Sequence, residues 1–192
     1  MSDWPSEVIP YDMSFNIVSN NFAFTSPFNG SQQIAGHPGG YWQASIELPL
    51  LDEQQGRIMS SFLHSLHGMY GTFRMPTWHR RPPPSAGNAV VDGANQRGGQ
   101  LVTRGWSASR AVLRRGDYIV VGEQLLEVVE DAVSNAQGRA VVRVAPWLRV
   151  PPADGAPINY TSPYCLMRLN DDADNSYQGI IASASLTCRE AF

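Results

Sequence analysis

The sequence predicts a mainly β protein: a sheet core carrying one packed α-helix, interrupted by a small barrel-like β insertion. Three observations predict it. The 192 residues are 43% hydrophobic and 16% charged, with 17 Gly and 14 Pro, the composition of a turn-rich β chain. Residues 41–75 read as strand, helix, strand, and include a clearly amphipathic helical stretch. Beyond a triple proline, residues 88–160 run through short strands separated by turns at regular spacing, the pattern of a small barrel or sandwich.

Taken in order, residues 1–11 form an extended arm in which Pro5 and Pro10 oppose helix. Trp4 is an apolar anchor on that arm; it either docks on a neighbouring subunit or folds back on its own domain. Residues 14–25 alternate at Phe15 and Ile17 and again at Phe22 and Phe24, with Ser19-Asn20-Asn21 as a turn between them. This reads as a strand pair or a bulged strand. Residues 26–40 are a loop rich in Gly, Pro and Ser. The Lys-Ser or Lys-Thr that a phosphate-binding loop places after its glycines is missing, so a hairpin loop is expected.

Trp42, Ala44, Ile46 and Leu48 alternate with Tyr41, Gln43, Ser45 and Glu47, which predicts a strand with one buried face. Pro49 ends it. Asp52 with Gln55 three residues on is a capping-box pattern. Ile58, Met59, Phe62, Leu63 and Leu66 then recur at helical spacing. Gly68 is placed to be the left-handed residue that stops the helix. Gly56 costs about 1 kcal/mol against Ala inside a helix, which marks a close packing approach there. The helix is expected to lie across a sheet and bury Phe62 and Leu66, with the chain returning as a strand over residues 73–76.

Residues 78–87 (WHRRPPPSAG) are a break in composition, and three prolines favour a stiff polyproline connector. Past it, the expected strands are 88–91, 101–103, 118–121, 124–133, 140–144 and 158–160. Gly122-Glu123 is a tight hairpin turn, and Pro146 is expected to end its strand. Residues 164–169 form another strand. Residues 178–192 alternate strictly, with Ile180, Ala182, Ala184, Leu186 and Cys188 on one face. A terminal strand needs a partner already in place, and residues 42–48 are the natural one. Residues 1–81 and 164–192 then make one core, and residues 82–163 are an insertion within it.

The chain carries few signs of catalytic or metal chemistry. His64 and His67, three apart on the helix, have a spacing that brings two ligands to one metal, but no third ligand is suggested and both flank the apolar stripe. His37 and His79 lie in loops. Asp117, Glu123, Glu127, Glu130 and Asp131 raise the question of carboxylate catalysis, but they fall on strand edges and beside turns. The acidic run at residues 170–175 (NDDADN) lacks the Gly and closing Glu of a calcium loop. Cys165 and Cys188 have no metal-ligand spacing and are expected to be buried thiols. There is no GxSxG elbow and no HExxH, so no enzyme activity, cofactor or metal is expected.

All basic residues are Arg, and the net charge is −3. Apart from the doublets Arg80-Arg81 and Arg114-Arg115 they are dispersed, unlike the basic stripe of a nucleic-acid binder. No apolar run is long enough to cross a bilayer. The first residues have neither a basic nor an apolar region of a signal peptide, so the expected place of folding is a cytoplasm.

Two groups of residues carry a resemblance. One is Trp42…Ile46-Glu47-Leu48-Pro49, the capped helix with Phe62-Leu63…Leu66…Gly68, and Gly71-Thr72-Phe73. The other is Leu113…Gly116-Asp117…Gly122, Gly138, Pro146-Trp147-Leu148-Arg149 and Asp154-Gly155. Together they resemble minor tail proteins of long-tailed bacteriophages, and in layout the distal tail proteins that join the tail tube to the baseplate or tip. The resemblance implies a β-sandwich core with a helix and an added barrel like those that bind oligonucleotides or oligosaccharides (OB-like). It further implies a virion location in the tail and a ring, hexameric in that family. The implied neighbours are the tail tube protein and the tip or hub proteins, with DNA passing through the lumen. No single functional residue carries over, because that family has no active-site signature.

A different reading is a carbohydrate-binding module for host glycans. Trp78, Trp106, Trp147 and loop tyrosines would supply its stacking platform.

Overall fold

A computed structural model describes residues 2–36, 39–171, 174–178 and 181–192, with the backbone alone for 174–178 and 181. The protein is mainly β, with 48% strand and one helix among the described residues; its sheets form a sandwich-like arrangement, and one of them is barrel-like and nearly closed. The chain runs β1 (Ser2–Asp3), β2 (Asp12–Val18), β3 (Asn21–Thr25), β4 (Gln32–Gly36), β5 (Tyr41–Glu47), α1 (Glu53–Ser65) and β6 (Phe73–Pro76). It continues through β7 (Gly87–Val91), β8 (Gly98–Trp106), β9 (Ala111–Leu113), β10 (Tyr118–Val121), β11 (Gln124–Val128) and β12 (Ala132–Val133). The last strands are β13 (Ala140–Leu148), β14 (Ile158–Asn159), β15 (Tyr164–Leu169), β16 (Asp174–Gln178) and β17 (Ile181–Glu190).

The chain divides into two compact units. One comprises Met1–Asn16, Trp42–Arg81 and Ser162–Phe192; the other comprises Ile17–Tyr41 and Pro82–Thr161. Residues 17–41 therefore group with the inserted segment, whereas the expected boundaries assign them to the core.

In the first unit, one sheet has the order β1-β6-β15-β17-β5-β2, and β16 pairs with β17 as well. The period-two face of β5 is buried at Trp42, Ala44 and Ile46. That strand pairs antiparallel with β17, Ile46 opposite Leu186 and Ala44 opposite Cys188, so the ends of the chain share one sheet. The expected terminal strand is β17, which covers residues 181–190, and residues 174–178 pair back onto 181–185. Gly179 and Ile180, part of the expected alternation, lie outside the described residues.

Both halves of the capping box form: Gln55 N donates to Asp52 Oδ1 (2.8 Å), and Asp52 N donates to Gln55 Oε1 (3.3 Å). The helix buries Met59, Phe62 and Leu63, with Leu66 just beyond its end. His67 (φ 52), not Gly68 alone, takes up the left-handed conformation after the helix. The turn is closed by Gly71 N donating to Leu66 O at 2.7 Å. Trp4 folds back on its own unit. Its indole N–H donates to Val8 O (2.6 Å), and its ring lies 5.7 Å from Phe62, 5.9 Å from Phe73 and 5.2 Å from Trp78. Aromatic edges at these separations add about 0.5–1.5 kcal/mol per pair beyond the area they bury.

Cys165 and Cys188 are both buried and are not joined in a disulfide. Leu169 is opposite Cys188, and Cys165 is four residues further along the same strand. At roughly 3.3 Å per residue the two are on the order of 13 Å apart, too far for a disulfide.

In the second unit a six-stranded sheet runs β14-β10-β11-β13-β8-β7. Its two edges approach each other: Val90 bridges Pro157, Val91 N donates to Ala156 O (2.9 Å), and Gly155 N donates to Val91 O (3.0 Å). This nearly closes the barrel and removes most of its free edge. Its interior is mostly aliphatic, with Val91, Leu101, Ile119, Leu126, Val128 and Val142 fully buried and Trp106 and Tyr160 packed in the same core. Gly105 (φ 88) turns a barrel corner where an added Cβ would meet Asn88 O at 2.3 Å. Gly122 (φ 64) opens the two-residue β10–β11 turn, with Val121 opposite Gln124.

Two expectations for the strands beyond the triple proline do not hold. The strand expected over 124–133 breaks after Val128. Asp131 Oδ1 accepts from Arg115 N (2.7 Å), and Ala132 and Val133 pair with β9 instead. Pro146 does not end β13. It sits within the strand, where the register with β8 shifts between Arg143 and Leu148, and such an irregularity tolerates the missing N–H of proline.

β3 pairs with β4, Phe22 opposite Ala35 and Phe24 opposite Gln33, and not with β2. The stretch read as a loop thus contains a strand. A Gln-Gln-Ile-Ala-Gly segment has neither clear alternation nor β-branched density, and its pairing with β3 supplies what the local sequence does not.

Candidate functional site

Two surface features of the second unit stand out. The first is the β3–β4 hairpin. All ten strand residues are exposed, including Phe22 (66%), Phe24 (70%) and Ile34, and Phe28 in its turn is 97% exposed. The turn is held by its own polar groups: Ser31 N and Oγ donate to Asn29 Oδ1, and Ser26 N donates to Ser31 O. No Asp, Glu, Lys or Arg occurs between Asp12 and Glu47. A two-stranded hairpin is marginal by itself in water, and charge is the usual means of protecting an exposed strand edge. This one has neither a third strand, among the described residues, nor a charge.

The second feature is a cavity of about 350 Å³ at the base of the same hairpin, where Ile17, Pro146 and Trp147 face Ser19, Asn20 and Asn21. Trp147 is 49% exposed, and its indole lies against Gly99, whose added Cβ would come within 3.2 Å of Cδ1. The strand end beneath it is clamped by the buried Gln124. Its Nε2 donates to Trp147 O (2.9 Å), and its Oε1 accepts from Arg149 N (3.0 Å). Arg149 Nη1 in turn donates to Gly40 O at 2.8 Å. The two asparagine heads lie close over glycine backbone: an added Cβ would meet Asn20 Nδ2 at 2.9 Å on Gly39 and Asn21 Oδ1 at 3.2 Å on Gly36.

The three tryptophans suggested for a stacking platform are not brought together. Trp106 is in the barrel core, its Nε1 donating to Thr103 Oγ1 (2.7 Å) and its ring 5.0 Å from Tyr160. Trp78 belongs to the first unit and packs on Trp4. Trp147 alone of the three is exposed beside a cavity. Asn20 and Asn21, read from sequence as a turn, are its polar neighbours. The Asn-Asn pair directly before Phe22 is the available sequence signal.

The carboxylates are dispersed. Asp117 Oδ2 accepts from Arg114 N (2.6 Å), Asp131 accepts from Arg115 N, and Glu130 pairs with Arg143 at 3.5 Å. Glu123 is exposed and Glu127 half-buried. Arg104 forms the densest ionic cluster, 2.9 Å from Asp92 and 2.6 Å from Asp154. Its guanidinium, with a hydrogen bond from Gly93 N, holds the Asp154 carboxyl down at about 2. Burial pushes the Cys188 thiol up to about 12.

His64 and His67 are exposed at the end of the helix. His79 lies 5.4 Å from the Phe15 ring, and His37 lies outside the described residues, as do Asp172 and Ala173 of the acidic run. Among the described residues no three His, Cys, Asp or Glu side chains are grouped to hold a metal ion. No helix among the described residues is long and apolar enough to cross a membrane.

The chain matches no protein-family model, and a search of curated proteins finds no match to it.

Proposed function

We propose that the chain is a structural subunit of a phage tail tip or baseplate that assembles into a ring with copies of itself. In this reading the ring, hexameric as in the distal tail proteins the sequence resembles, joins the tail tube to the tip or hub proteins and lets DNA pass. The observation that carries the reading is the β3–β4 hairpin. Phe22 and Phe24 on one face of the hairpin, with Phe28 in its turn, expose on the order of 450 Å², taking about 200 Å² per aromatic ring, while Ile34 lies on the opposite face beside Ala23. That is the scale of the largest apolar patch on a monomer and most of the roughly 800 Å² that each partner contributes to a stable interface. A charge-free surface of this kind is matched by another protein surface rather than by the phosphates of DNA.

A second copy of the chain is the proposed occupant. On the first unit, Pro5, Ile58 and Phe62 together with Arg57, Ser61 and Ser65 line an open groove of about 460 Å³, whose apolar residues would accept the Phe28 tip of a neighbour. Donor and acceptor are then different patches of one chain. Such contacts run head to tail, and they close into rings when the rotation permits.

Light scattering and electron microscopy of the isolated protein test this. The expected result is a closed ring that Phe28→Ser and Ile58→Ser each dissociate into folded monomers. A wild-type protein that stays monomeric at micromolar concentration rejects the ring, and rings that survive both substitutions reject this contact.

A further inference from the structure

We propose that the cavity beside Trp147 is a binding site for a neutral saccharide. The inference is independent of the ring, since every residue of the site belongs to one unit of one chain. The volume of about 350 Å³ falls at the lower end of the roughly 300–1,000 Å³ of small-molecule sites. Its walls divide into two chemistries. Trp147, Pro146 and Ile17 give an apolar side, and the indole presents an electron-rich face to the weakly positive C–H groups of a pyranose ring. Ser19, Asn20 and Asn21 give the polar side. An asparagine amide donates and accepts at once, so two of them and a hydroxyl can pair with adjacent sugar hydroxyls in either sense.

The charge of the site selects among ligands. No Asp, Glu, Lys or Arg side chain lines the cavity. A nucleotide would find a ring to stack on but no cation for its phosphates. A wholly apolar ligand would strip water from two amides and a hydroxyl and leave them unpaired, which disfavours it. A saccharide has the apolar face and the hydroxyl edge that these two walls require.

The site is also held in shape before any ligand arrives. Gln124 fixes the backbone at residues 147 and 149, Arg149 ties Gly40 to the same strand end, and the glycines at 36 and 39 leave room for the amide heads. Preorganisation of this kind lowers the ordering cost that usually limits weak polar binding.

The test uses the whole chain and three neutral probes: the trisaccharides of glucose, galactose and N-acetylglucosamine. Saturation-transfer NMR and tryptophan fluorescence are read at up to about 10 mM probe, the range of millimolar affinity. At least one probe is expected to bind. Trp147→Ala and the pair Asn20→Ala with Asn21→Ala should each weaken binding by tenfold or more, while Trp147→Phe keeps part of it. Because Trp147 is half exposed, these variants should melt within a few degrees of the parent, which separates loss of the site from loss of the fold. The proposal is overturned by no binding of any probe, by binding that survives Trp147→Ala, or by preferential binding of a thymidine trinucleotide.

Discussion

Gly56 of the helix and Ala182 of the last strand touch: a Cβ added to Gly56 would lie 3.0 Å from the Ala182 Cβ. This contact sets how closely α1 approaches the sheet, and it is reinforced by the paired bonds between Leu51 and Ala182 just before the helix begins. Glycine costs helix propensity, so an added methyl would gain about 1 kcal/mol if the sheet could yield. Ala182 is on a strand paired on both sides and has little room to yield. Gly56→Ala is therefore expected to be close to neutral, its propensity gain offset by the contact. Gly56→Val should lose about 1–3 kcal/mol through overpacking, read from urea unfolding midpoints.

Phe62 joins the helix to the N-terminal arm. Its ring is 5.7 Å from Trp4 and 5.5 Å from Phe73, so deleting it empties the space between arm, helix and sheet. Phe62→Ala should cost about 3–5 kcal/mol. Trp4→Ala made in the Phe62→Ala background should cost less than in the parent, since the two rings are in contact and their effects are not additive. A loss below about 1 kcal/mol for Phe62→Ala would mean that the helix is peripheral to the core.

The parts of the fold legible in the sequence are those whose signal is local. Period two in residues 42–48, the Asp52–Gln55 capping box and the Gly122-Glu123 turn each depend on a few adjacent residues, and each stands where it was expected. The pairing of β5 with β17 was inferred from need: a strictly alternating strand at the end of the chain must find a partner. What was not legible depends on distant residues. β4 forms because β3 lies beside it, Pro146 is accepted because the β8 register shifts there, and the expected 124–133 strand breaks because Arg115 N draws Asp131 away. The candidate site divides in the same way. Trp147 was among the residues suggested for glycan stacking, but Trp106 has an identical side chain and is buried because Thr103 offers its indole N–H an acceptor. Asn20 and Asn21 looked like a turn until the fold placed them opposite Trp147.

The thiol of Cys188 should be silent in the folded protein. Burial raises it from 9.0 to about 12, and the thiolate, not the thiol, attacks disulfide reagents. At pH 8 Ellman's reagent should titrate almost no thiol in the native state and two per chain in urea. A raised thiol pKa also means that the unfolded chain releases its proton first. The effect is therefore absent below about pH 8 and erodes stability as pH climbs from 9.0 toward 12. Cys188→Ala should remove that contribution to alkaline sensitivity, seen as a flatter melting temperature against pH on the alkaline side.

Asp154 gives the opposite limb. Arg104 donates to it with both terminal nitrogens, at 2.6 and 3.3 Å, and Gly93 N adds a third bond at 2.8 Å. All three favour the carboxylate, which brings its pKa from 3.8 to about 2. A depressed carboxyl pKa stabilises the folded state above the unfolded value, and that stabilisation is lost as pH falls through the folded one. The window is therefore pH 3.8 down to about 2. The group is exposed, so salt should screen the effect and keep it small. NMR titration of the Asp154 side-chain carboxyl is the direct measurement. It should report the low value in the parent and a return toward 3.8 in Arg104→Met, while Asp154→Asn should flatten the fall in melting temperature across the same window. An Asp154 carboxyl that titrates near 3.8 in the parent would show that the Arg104 pairing does not persist in solution.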